Sequence, residues 1–424
     1  MDWSASYPMP TRTDVVIVGA GLAGLAAARS LHAAGRSVLI VEASDGIGGR
    51  VRTDEVDGFL LDRGFQVLLT AYPELKRQLD LSRLDLRAFD PGAAVWLDGR
   101  RYELGDPFRN PSTLWATTRA PIGSLADKAR ILKLRRRVTR GVGNQLLQST
   151  DLPTITALRA EGFSTKIIER FFRPLFGGIS LDVSLDESRR MFDVIFRSLS
   201  LGDSVVPSRG MGAIPAQLAE KIPSESIALN RPVRSIDLDG VAGDGWRVDA
   251  DVVIVATDGP TASKLLGIAP VGSKPVSCVY FDAPAGVMAP SKLVELDASH
   301  SGPALNVAIM SDVAPSYAPT GRTLVAAACP GAQPESLEPS VRAQLRGWYG
   351  PTVDDWRHLR TYHIAHGQPD QRAPLHPKQA IRLGERLFVC GDHRDTASIQ
   401  GALFSGRRTG EAVADALRTS ASTR

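Results

Sequence analysis

Cysteine is scarce, with Cys278, Cys329 and Cys390 the only three in 424 residues. An odd number at wide spacing excludes a disulfide framework and a Cys-type zinc site, and it suits a reducing compartment. No metal site is expected. Long apolar runs are missing as well, and none approaches the ~18 residues that span a bilayer. The opening Met1-Asp2-Trp3 puts an acid where a secretory leader carries its basic segment, so a cytoplasmic location is expected. Charge of one sign is also lacking. Fifty Lys+Arg against 46 Asp+Glu leave +4, too mild for a nucleic-acid partner. Aromatics are only 6%, but apolar residues reach 43%, enough for a sizeable core over two or three domains.

What is present begins with a short β-branched run at 14–20, read as a buried strand. Residues 22–34, rich in Ala and Leu, read as a helix closed by Gly35, and 37–42 read as a second strand. A strand, helix and strand in this order call for a parallel sheet. Residues 250–257 and 386–391 repeat the buried-strand pattern far downstream. The chain therefore divides into a nucleotide-binding domain (1–89, 206–271 and 371–424) and a second domain made of two insertions (90–205 and 272–370). The tail, 419–424, is expected to be disordered.

Gly19-Ala20-Gly21-Leu22-Ala23-Gly24 spells G-x-G-x-x-G where the first strand meets the helix. The first glycine permits the turn, the second lets backbone approach a pyrophosphate, and the third allows close helix–strand packing. The helix N-terminus adds N–H groups and a positive dipole end. Glu42, followed by Ala43, ends the second strand where an acid accepts hydrogen bonds from ribose. This pattern indicates a dinucleotide without separating NAD from FAD.

The following motifs separate them. Gly46-Ile47-Gly48-Gly49-Arg50 follows the second strand, then Gly58-Phe59-Leu60-Leu61-Asp62-Arg63-Gly64. Near the C-terminus, Gly391-Asp392 ends a strand, and Ser398-Ile399-Gln400-Gly401-Ala402 opens a helix. With Val233 in a central ribbon and the turn 207–215, these segments resemble the flavin amine oxidase / phytoene desaturase / protoporphyrinogen oxidase superfamily, on its desaturase-like branch. The resemblance implies an α/β fold: a Rossmann-type FAD-binding domain (GR2-like) with a second α+β substrate domain built from two insertions. It implies FAD held by Gly19, Gly21, Leu22, Ala23, Gly24, Glu42 and Ala43. Gly48, Gly49 and Arg50 would lie on its phosphates, Val233 on adenine, and Gly391, Asp392, Ser398, Ile399, Gln400 and Ala402 on the ribityl and flavin side. Physically, paired glycines let backbone N–H groups close on phosphates, and Arg50 adds a cationic fork.

The family pattern also breaks in places. Residues 362–369 lack the cysteine through which some members attach flavin, so non-covalent FAD is expected. Ile399 stands where amine oxidases place Tyr, which disfavours an amine substrate. Lys292 is the only candidate in the second insertion for the family's lysine near flavin N5, and reads better as a surface residue. His366 lies in a segment the family folds near the flavin ring; it reads as a general base or as a structural histidine. Residues 128–140 form a basic amphipathic helix, either a solvated face or a peripheral membrane contact. Phe171, Phe172 and Phe176 line a hydrophobic cavity or fill a core. The implied activity is an FAD-dependent oxidoreductase taking a hydride from a small lipophilic substrate onto flavin N5. A redox-neutral isomerase and a non-catalytic FAD-bound assembly protein stay open as alternatives. Oligomeric state is not legible.

Overall fold

A computed structural model describes residues 8–286 and 288–422. The leader expectation rests on residues outside that range. Two seven-stranded sheets organise the chain. In the first, Ile227–Ala228, Val38–Val41, Arg12–Val18 and Trp246–Val255 run side by side and parallel, and Leu387–Val389 joins Trp246–Val255 in the same sense. Gly240–Gly243 and Val233–Ile236 extend it as an antiparallel ribbon. The strands expected from 14–20, 37–42, 250–257 and 386–391 are therefore all present, with shifted ends.

The second sheet is mostly antiparallel. Its order is Arg357–Pro369, Ser273–Pro284, Arg322–Pro330, Asn306–Ile309, Val294–Asp297, Gly92–Leu97 and Arg100–Gly105. Only the pair Val294–Asp297 with Gly92–Leu97 is parallel. A hairpin, Thr53–Val56 with Phe59–Asp62, stands between the sheets. Buried Asp62 fastens it there: its carboxylate accepts from Thr53, Tyr317 and the Met211 amide, and its carbonyl accepts from the Tyr280 hydroxyl. Burial pushes the Asp62 carboxyl up to about 6, and these three donors work against that rise.

Helices pack on the first sheet through glycine. A side chain on Gly24 would drive into the Gly19 carbonyl, and one on Gly406 or Gly410 would meet the Ala23 or Ala27 carbonyl. The last two glycines let the final helix, Ile399–Ser422, lie closely against Leu22–Ala33. That final helix runs on to Ser422, where 419–422 were expected to be disordered; 423–424 of the same expectation lie outside the described residues. It persists there as the continuation of a long helix whose inner face (Leu403, Val413 and Ala414) is buried.

The phenylalanine segment is core. Phe172 and Phe176 are buried against Phe163 and Phe192, with ring centroids 4.4–6.2 Å apart, so they fill space and line no cavity. Phe171 is only partly buried at the edge of the same cluster. The basic helix spans Leu125–Thr139 and starts in a capping box between Ser124 and Asp127.

Candidate functional site

The C-terminal ends of the parallel strands converge on the glycine turn. Gly19 turns at φ +107° and donates its N–H to the Val41 carbonyl at 2.8 Å. The Ala20 N–H donates to Glu42 Oε2 at 2.7 Å, and Glu42 Oε1 accepts from the Ser44 amide and hydroxyl. Glu42 Oε2 thus braces the glycine turn and keeps lone-pair capacity for a further donor, while Oε1 is taken by Ser44. A Cβ on Gly21 would meet nothing within 4 Å, whereas one on Gly19 would press on the Ala256 carbonyl at 2.9 Å. The middle glycine alone faces open space. No side chain caps the helix beginning at Leu22, so its positive end, with Leu22, Ala23 and Gly24 in the first turn, faces that space.

The second glycine turn lies against the first. The Gly48 N–H donates to the Ala20 carbonyl at 2.8 Å and is spent on the chain itself. Gly48 and Gly21 form a parallel bridge that lays one turn on the other, and Gly49 stays exposed beside Gly21. Paired glycines here serve close packing of two turns, because a side chain on Gly48 would strike Val51 O and Pro215.

Arg50 ties distant segments together. Its guanidinium holds Asp392 Oδ2 at 2.8 Å and the Gly367 carbonyl at 2.9 Å. Burial works against the Arg50 charge, but the Asp392 carboxylate outweighs it and holds the group above its usual range. Three distant segments, around 50, 367 and 392, are thereby joined. Val233 is brought to the same end: the Arg231 amide donates to the Glu42 carbonyl and the Asn230 amide to the Ser44 carbonyl. At the final helix, the Ser398 hydroxyl accepts from the Gly401 amide. Ile399 and Ala402 are half-buried there, while the Gln400 side chain turns away to accept from the Glu74 amide.

The two catalytic candidates fare less well. His366 lies in the bulge between Ile364 and Gln368, exposed, with Nδ1 2.7 Å from the Ser273 hydroxyl. It neighbours Gly367 but contacts neither Arg50 nor Asp392. Lys292 is exposed just ahead of Val294–Asp297, which lies four strand positions from the strand carrying Gly367, about 19 Å across the sheet. It does not meet the Arg50–Asp392 pair.

Sequence reasoning missed His393. It is buried beside Asp392, and neither ring nitrogen has a hydrogen-bond partner. Burial pushes its imidazole down to about 4. Its place directly after Gly391-Asp392 was the available signal. Lys274 was missed too. It is buried, paired with Glu187, and 3.7 Å from Asp182. A side chain on Gly367 would meet Leu181, Val276 and the Lys274 carbonyl, so this charge cluster lies directly behind the bulge.

Open space at a helix N-terminus, bounded by exposed backbone, a guanidinium and a braced acid, fits a dinucleotide pyrophosphate and ribose. A family model for flavin containing amine oxidoreductases matches residues 22–414. The chain belongs to this family. It is an oxidoreductase, and the family's cofactor is a flavin. The chain is 24% identical to the coproporphyrinogen III oxidase of Propionibacterium freudenreichii over 97% of this chain and 91% of that protein. It is 45% identical to the putrescine oxidase of Kocuria rosea over 92 residues, which span 21% of this chain but only 19% of the oxidase. The fold matches a candidate protoporphyrinogen oxidase of Exiguobacterium sp. 255-15 with a TM-score of 0.73 and 18% identity, covering 96% and 99% of the two chains. Among the described residues, no helix is long and apolar enough to cross a membrane.

Proposed function

We propose that this oxidoreductase holds FAD without a covalent bond and oxidises an apolar, carbon-centred substrate by hydride removal. Residues 1–89, 206–271 and 371–424 would form the FAD domain, and 90–205 with 272–370 the substrate domain. When bound, FAD supplies the two-electron redox chemistry. In this reading Gly21 and the first turn of the helix receive the pyrophosphate, Glu42 accepts from ribose, and Asp392 with Arg50 fixes the ribityl side. The observation that carries the apolar assignment is the lining of the bulge beside the Arg50–Asp392 pair. Leu181 and Val276 close on Gly367, and Ile364 closes on Gly64. Apolar side chains at this position suit an apolar substrate better than an ammonium group. Lys292 lies four strands away, and Ile399 heads the final helix. The non-covalent assignment is supported by the cysteines: all three are buried and free, and burial pushes the Cys278 and Cys390 thiols up to about 12.

Anaerobic mixing with a panel of isoprenoids, porphyrinogens and diamines tests this reading. Bleaching of the flavin band by an apolar member, with diamines inert, is the expected result. Faster bleaching by diamines would overturn the substrate class, and product formed without net bleaching would point to an isomerase. Acid precipitation should leave a colourless pellet and a yellow supernatant.

A further inference from the structure

The basic helix Leu125–Thr139 does not offer its apolar face to anything outside the protein. Leu134 and Val138 are buried in the core, and Ile131 is packed against it. What the helix leaves exposed is different. Leu125 is 68% and Leu132 47% exposed at one edge, with Lys133 and Arg136 beside them and Arg140 just past the helix end. The preceding segment adds Phe108, Leu114 and Trp115, which are 62%, 56% and 64% exposed. Ties between the two elements put these residues on one face. The Arg135 guanidinium stacks 4.8 Å from the Phe108 ring, and Lys128 Nζ donates to the Thr118 and Ala120 carbonyls. Arg119 lies 4.2 Å over the Trp115 ring. Asp106 and Asp127, the acids of this stretch, are engaged by Arg135 and by Ser124 and Ser164. Lys133, Arg136 and Arg140 have no carboxylate partner among the described residues.

We propose that this face docks on an anionic lipid bilayer, with Phe108, Leu114 and Trp115 entering the headgroup region and Lys133, Arg136 and Arg140 facing lipid phosphates. The pairing of apolar and basic side chains is what such a surface binds, since neither signal holds a protein there alone. A second copy seated on the same patch would set these cations against themselves. Nucleic acid would leave the five apolar side chains without a partner. This inference is independent of which substrate the oxidoreductase takes.

Co-sedimentation of the flavin-loaded protein with phosphatidylcholine vesicles, with and without phosphatidylglycerol, tests it. Pelleting is expected with the anionic vesicles only, and it should fall with added salt. Phe108→Ser, Leu114→Ser and Trp115→Ser should each weaken partitioning roughly tenfold. Lys133→Gln, Arg136→Gln and Arg140→Gln should each cost roughly fivefold. These positions are exposed, and unchanged flavin content and circular dichroism will verify that each variant is folded. Trp115 emission should shift to the blue on adding anionic vesicles. Equal pelleting of wild type and the triple Ser variant would overturn the proposal, as would no pelleting of wild type. A concentration-dependent dimer lost in the triple Ser variant, without vesicle binding, would assign the face to a second copy instead.

Discussion

The two sheets solve the problem of close approach in opposite ways. In the first, backbone meets backbone. Gly24 lies on the Gly19 carbonyl, Gly406 on Ala23 and Gly410 on Ala27, so main chain and helix pack with no side chain between them. Around the second, buried carboxylates are paired instead: Glu187 and Asp182 with buried Lys274, Glu295 with half-buried Arg101, and Asp282 with half-buried Arg322 and exposed Arg357. Glycine contacts are enforced by sterics and tolerate no side chain. Buried pairs hold only while both partners are present, so the second region depends on residues far apart in sequence. The helices against the first sheet are thus placed by the absence of side chains, and the bulge behind Arg50 by compensated charge.

The largest effect should come from breaking the steric side. Gly24→Val puts a branched side chain into the Gly19 carbonyl and is expected to cost about 5 kcal/mol or more, seen as loss of soluble folded protein. Gly21→Val, three residues earlier, is the sharper half of that comparison. With nothing within 4 Å, it should fold with the melting temperature of the flavin-free wild type yet purify colourless. A colourless but folded Gly24→Val, or a yellow Gly21→Val, would reverse the roles given to the two glycines.

Next comes the charged side. Lys274→Met leaves Glu187 buried without its cation and should destabilise by ~3–5 kcal/mol in urea unfolding. Burial already pushes the Glu187 carboxyl up, and Lys274 is what opposes that rise. Loss of the cation should therefore hurt more at pH 8 than at pH 5, where the carboxyl can take a proton.

His393 supplies a pH effect of intermediate size. Its folded value of about 4 lies below the ordinary 6.5, so the unfolded chain binds the proton first as pH falls. Stability from the neutral, buried ring is present above 6.5 and is lost towards 4, by about 3 kcal/mol. Asp62 acts in the opposite sense, because its raised value lets the folded state take a proton as pH falls through 6. His393→Leu should therefore gain about 3 kcal/mol on wild type between pH 7 and pH 4 in paired urea titrations. A constant difference across that range would mean the ring is solvated or paired.

The smallest effect is Ser398→Ala. It removes the hydroxyl that accepts from Gly401 at the head of the final helix and should cost about 1 kcal/mol by thermal melting.

Much of the cofactor end could be read from sequence because its requirements are local. A strand, a glycine turn and a helix occupy the residues from 12 to 33 without a break, and the acid at 42 follows the next strand. The protein contacts of Arg50 and Gly48 were not legible, because each depends on a residue brought from elsewhere: Asp392 for one, the crossing of two turns for the other. The exposed position of His366 was not legible for a related reason. One bulge between Lys274 and Val276 decides which way residues 365–367 face, and no periodicity shows a bulge.

By itself, then, the sequence determined the parallel sheet, the glycine turn with its helix and the kind of ligand that fits them, since strand propensity and glycine sterics act within a few residues. Only the tertiary structure decided that Phe172 and Phe176 are core, that the inner face of the basic helix is already used, and that Lys292 stands four strands from Gly367. Those outcomes follow from which surfaces meet when distant segments fold together, and burial is a property of the meeting, not of either segment alone.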